Sequence, residues 1–78
     1  MSTLDAIVGL KLSEPKIEEK VLAACRTRLA EPGTDCVHLF FGDDDEVMVE
    51  KDETVASLKE KLDRVRGQGY TKIEEHGS

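Results

Sequence analysis

Apolar residues recur along this chain with two different periods. From Ala6 to Leu12 the period is two, with Ala6, Val8, Leu10 and Leu12 alternating against Ile7, Gly9 and Lys11. That pattern predicts a half-buried strand. Leu4, Ile7 and Val8 also fit helical spacing, so a helix opening at Ser2 or Thr3 is the rival reading. From Ile17 the period becomes helical. Ile17, Val21, Ala24, Cys25 and Arg28 form one stripe, widened by Leu22 and Leu29. Ser13 before Pro15 predicts the start of this helix, because serine caps amides and proline suits the first turn. Glu14, Glu18 and Glu19 near its start and Arg26 and Arg28 near its end complement the helix dipole. Pro32 and Gly33 predict a stop near Ala30.

Cys36 to Phe41 is rich in strand formers, and Glu46 to Glu50 alternates with Val47 and Val49 on one side. Gly42, Asp43, Asp44 and Asp45 between them read as a tight turn. A hairpin from about Cys36 to Glu50 is therefore predicted. Asp52 or Thr54 can cap a second helix whose stripe is Val55, Leu58, Leu62 and Val65, ended by Gly67 or Gly69. Tyr70 to Glu74 predicts a last strand, and residues 75–78 a frayed polar tail.

The order β-α-β-β-α-β, with two helices each apolar on one stripe, predicts a small α+β sandwich of the ferredoxin-like kind. Right-handed crossovers would place both helices on one face of an antiparallel sheet. The chain is expected to be a single domain over 1–78, ordered from about 4 to 74. In that arrangement the strand carrying Phe40 lies at a sheet edge, open to pairing with another chain. Alternation would send Ile7, His38, Phe40, Met48 and Tyr70 to the uncovered face, with Gly9, Lys11, Cys36 and Lys72 beside them. Such an apolar set on a surface is the kind that marks a partner site.

Composition narrows the class. At 78 residues there is room for one small core, and with no Trp, one Tyr and two Phe it must be built from Leu, Val, Ile and Ala. Two cysteines are too few for a disulfide scaffold, no basic region precedes an apolar leader, and no apolar run approaches a membrane span. The expectation is a soluble cytoplasmic protein with Cys25 and Cys36 kept as thiols. Charge then singles out one stretch. Seven of the eleven residues from Asp43 to Glu53 are acidic and only Lys51 is basic. This stretch alone has a net charge of -6, equal to that of the whole chain. The remainder is neutral overall, so the acidity is a patch.

Candidate chemistry is mostly excluded. The chain has no Asn, which an acylphosphatase-type site pairs with its Arg. A metal-chaperone site needs paired cysteines near the first loop, and Leu12 to Pro15 has none. An RNA-recognition sheet needs aromatics on its third strand, where Glu46 to Glu50 stands; carboxylates there repel phosphates. Asp43, Asp44, Asp45 and Glu46 lack the curled, glycine-interrupted spacing of a calcium loop, so no metal is expected. Cys36 and His38 share a strand face, about 7 Å apart at their stems, with no third orienting group evident in the sequence. The ordinary reading is a small residue beside a surface histidine. Lys59, Lys61, Arg64 and Arg66 give the second helix a basic end that dipole compensation explains.

These readings point to a small non-enzymatic interaction module, a regulator or adaptor that binds a protein partner or its own copy, without cofactor, nucleic acid or membrane. Its expected contact residues are His38, Phe40, Met48 and Tyr70 together with the acidic Asp43, Asp44, Asp45, Glu46 and Glu50. The alternative is an acidic inhibitor or antitoxin whose carboxylates stand in for phosphates and block a basic groove.

Overall fold

A computed structural model describes residues 7–41 and 45–76. The element order is α1 (Ile17–Leu29), β1 (Cys36–Phe41), β2 (Asp45–Glu50), α2 (Val55–Arg66) and β3 (Glu74–His76). The α+β class is as expected. The sheet is three-stranded in the order β2-β1-β3, with both pairings antiparallel. The split arrangement predicted from the sequence requires the last strand to pair with the first. Here it pairs with the first arm of the hairpin, so the ferredoxin-like order is not what the described residues form. Cys36–Phe41 is the central strand, and Phe40 is flanked on both sides by Glu46 and Glu74. Phe40 is therefore not an edge residue.

The segment expected to be the first strand is a run of turns. Leu10 N–H bonds the Ile7 carbonyl at 3.1 Å and Glu14 N–H bonds that of Lys11 at 3.0 Å. Gly9 adopts φ 86°, a left-handed conformation that glycine tolerates and an extended strand does not contain. This breaks the parity of the alternation. Ile7 is buried and Val8 is 49% exposed, the reverse of the predicted facing. Ala6 and Leu4 lie outside the described residues. What survives of the pairing is irregular: Gly9 N–H reaches the Ile73 carbonyl at 2.8 Å, Ile73 N–H the Leu10 carbonyl at 3.0 Å, and Leu12 N–H the Thr71 carbonyl at 2.9 Å. These bonds seat Leu12 and Ile73 in the core.

α1 begins two residues after Pro15. Its N-cap is Lys16 at φ 56°, with no side-chain cap, so Ser13 does not cap it. The stripe holds: Ile17, Val21, Leu22, Cys25 and Leu29 are buried, and Ala30 is the C-cap. α2 follows a capping box in which Thr54 accepts from Ser57 N–H, and it ends at Gly67. Leu58, Leu62 and Val65 are buried, whereas Val55, expected in the same stripe, is 42% exposed. The inner sheet face (Val37, Leu39, Phe41, Val47, Val49) joins both helices in one cluster of buried residues. Tyr70 belongs to no strand and packs against that core, which corrects its expected place on the open face. β3 continues to His76, so residues 75 and 76 pair with β1 where a frayed tail was expected. No helix among the described residues is long and apolar enough to cross a membrane.

Candidate functional site

Two polar constellations stand out, one on each side of β2. Both follow from the register Cys36↔Glu50, His38↔Met48 and Phe40↔Glu46.

The first is structural. Glu53 precedes the α2 cap, and its side chain is only 3% exposed. Its carboxylate accepts from Lys61 Nζ at 2.6 Å, from Ser57 Oγ, and from the Glu50 N–H at 3.4 Å. Arg26 donates to its carbonyl at 3.3 Å, which ties α1 to the same corner. Burial is the largest single influence on this carboxyl and acts to raise its pKa. The bonds from Lys61, Ser57 and the Glu50 amide together outweigh it, so the group is held below its ordinary value of 4.5. Lys61 also donates to the Met48 carbonyl at 2.8 Å. A strand residue points its N–H and C=O to the same side, so Met48 and Glu50 turn their backbone groups to the outer edge of the sheet. Lys61 and Glu53 cover that edge, where strand addition would otherwise occur. A shallow depression of about 330 Å³ lined by Glu50, Asp52, Glu53, Thr54, Ser57 and Lys61 surrounds this corner. Among the described residues no buried side-chain polar atom lacks a partner.

The second lies on the outer sheet face. Alternation puts Cys36, His38 and Phe40 of β1 beside Glu46, Met48 and Glu50 of β2, with Glu74 on the far flank. The three β1 residues are half-buried and the three β2 residues exposed, Met48 by 41%. His38 Nδ1 lies 2.9 Å from Glu46 Oε2, and its Nε2 lies 3.4 Å from Cys36 Sγ. A carboxylate only accepts, so Nδ1–H of His38 donates to Glu46, which leaves Nε2 as the ring atom facing Cys36 Sγ. Thus Glu46 supplies the third group that the sequence did not reveal. Glu46 stands eight residues from His38, and only the hairpin register makes it a diagonal neighbour. The alternation of charge and valine in β2 was the available signal, but the register of the turn was not.

Of the residues expected at the site, His38, Phe40, Glu46, Met48 and Glu50 share this face. Asp45 opens β2 opposite Phe41, whose side chain is buried. Asp43 and Asp44 lie outside the described residues. The acidic run is thereby divided: Glu53 is spent inside on Lys61, Glu46 on His38, and Lys51 meets Asp35 at 3.8 Å. The basic end of α2 is also largely engaged within the chain. Lys59 bonds Asp63 at 2.7 Å, and Arg66 reaches Glu18 at 3.2 Å as well as Asp63. Among the described residues no group of three or more His, Cys, Asp or Glu side chains is arranged to hold a metal ion.

Comparison of the chain with protein-family models, with curated proteins and with solved structures finds no match.

Proposed function

We propose that this chain is a small non-enzymatic interaction module. It docks a protein partner on the outer face of its sheet, and the partner presents an apolar centre rimmed by Lys or Arg. The observation that carries this reading is Met48, 41% exposed in a sheet face that neither helix covers, between the exposed carboxylates of Glu46 and Glu50. An apolar anchor ringed by one sign of charge favours a partner of the opposite sign and speeds its approach. The same charge disfavours a second copy of the chain, which would bring two acidic faces together. Nucleic-acid mimicry is the weaker alternative, because a mimic needs its carboxylates displayed in a row, and Glu53 is buried on Lys61.

The test is capture from native lysate, followed by purification of the protein recovered and measurement of its affinity. Met48→Glu and Glu50→Lys should each weaken binding about tenfold or more, since a central anchor and its rim contribute on the order of 1–3 kcal/mol. Added salt should slow association more than it speeds dissociation. Unchanged affinity in both variants, or amide protection by the partner confined to the helices, would overturn the proposal. Self-association of the wild type that Met48→Glu abolishes would favour a dimer instead.

A further inference from the structure

We propose that Cys36 is the nucleophile of a thiol–disulfide exchange site on the outer sheet face, with His38 as its base, Glu46 as the residue positioning His38, and a cationic disulfide as co-substrate. The three side chains are linked through the His38 ring. Sγ of Cys36 is 3.4 Å from Nε2 of His38, and Nδ1 of His38 is 2.9 Å from the Glu46 carboxylate. The distances are those of a nucleophile and base in hydrogen-bond reach, with the base oriented by a third group.

Cys36 is half-buried in a sheet face open to solvent, whereas Cys25 is buried on the inner face of α1. Only the first is within reach of a dissolved disulfide.

The step balances without any further oxidant. His38 Nε2 takes the Cys36 proton, and Sγ attacks one sulfur of the disulfide R–S–S–R. The Cys36 Sγ–S bond forms as the S–S bond breaks, and the departing RS⁻ takes the proton back from Nε2. The products are a mixed disulfide on Cys36 and one RSH. The Glu46 carboxylate is placed to balance the imidazolium that exists between the two proton transfers.

The surroundings choose the co-substrate. Glu50 stands directly across from Cys36, Glu46 lies four residues along the same strand on the same face, and Asp35 precedes Cys36 in the chain. Lys51, which follows Glu50 in the chain, is 3.8 Å from Asp35. A disulfide with ammonium groups near its sulfurs is attracted to this face, and an anionic one is repelled.

The experiment measures second-order rate constants at neutral pH for cystamine, which is dicationic, and for the dianionic aromatic disulfide DTNB. The modified cysteine is identified by mass spectrometry of peptides. Rates for the same chain unfolded in urea provide the reference for each reagent. Cystamine should modify Cys36 and spare Cys25. Its ratio of folded to unfolded rates should exceed that of DTNB by about tenfold, and added salt should close the gap. His38→Asn should slow the folded chain with cystamine about tenfold or more, by removing the base. Glu46→Gln should slow it less and change the ring ¹⁵N shifts that report the Nδ1–H tautomer of His38, which loss of packing alone would not do. A cystamine rate in the folded wild type no greater than in urea, or equal folded-to-unfolded ratios for the two reagents, would overturn the proposal without recourse to any variant.

Discussion

At the scale of single residues, Glu53 is the position where local rules and tertiary context meet. Acidic and hydroxyl residues before a helix are ordinary capping chemistry, which left Asp52 and Thr54 as the two candidate caps; Thr54 is the one used. The burial of Glu53 was not legible, because it depends on Lys61, one helix face away, folding back over the edge of β2. Glu53→Gln keeps the shape and removes the charge. It should cost about 1–3 kcal/mol, less than a fully buried broken pair, because the Lys61 side chain is 30% exposed and can rehydrate. Denaturant midpoints measure this directly. The carboxyl is held below its ordinary value, so the unfolded chain binds its proton more readily than the folded one. Its contribution is then complete above the unfolded pKa and is lost as pH falls through the folded one. The gap between wild type and Glu53→Gln should accordingly be widest near neutrality and shrink on the acid side. A gap that stays constant with pH would show that Glu53 is not held as a charged group.

Among whole elements, periodicity located both helices and the hairpin but misjudged their ends. Val55 fits the apolar stripe of α2 by spacing, yet it occupies the first helical position and is not among the buried residues of the helix. Helical spacing tells which residues share a face and says nothing of how far along the axis that face is covered. Since Val55 is 42% exposed and the first turn of α2 has no acidic residue, Val55→Glu should leave stability unchanged or raise it by about 0.3–1 kcal/mol. A core valine would instead lose several kcal/mol on gaining a charge, so thermal unfolding of this one variant separates the two placements. The N-terminal segment failed for a different reason. Its alternation was real, but Gly9 at φ 86° inserts a turn that exchanges the facing of Ile7 and Val8. Ser13 and Pro15 form a helix-start signal that the chain does not use, because the helix opens only at Ile17 after a left-handed Lys16.

For the whole molecule, the question is what holds the chain ends to the middle. β3 pairs with β1 through His38↔His76, Leu39↔Glu75 and Phe40↔Glu74, and Ile73 just before it is buried in the core. Deleting residues 74–78 should therefore remove part of the central ladder and cost about 1–3 kcal/mol, at roughly 0.5–1.5 kcal/mol for each net hydrogen bond. A tail that frayed would cost nothing, so an unchanged melting temperature in the truncated chain would refute this sheet order. The same order makes the outer face a surface with acidic flanks on both sides of Phe40. A Phe40 edge strand would have offered its backbone to another chain; the central position offers only side chains.

The sequence by itself determined the α+β class, the two helical stripes, the hairpin and the single acidic stretch, and narrowed the second cap to Asp52 or Thr54, because each depends on residues close together in the chain. The tertiary structure decided which strands are neighbours, and with that everything that depends on pairing. It placed Cys36–Phe41 at the centre, moved Tyr70 against the core, buried Glu53 under Lys61, and brought Glu46 to His38 and so to Cys36. Strand order and register arise from contacts between distant segments, for which periodicity carries no address.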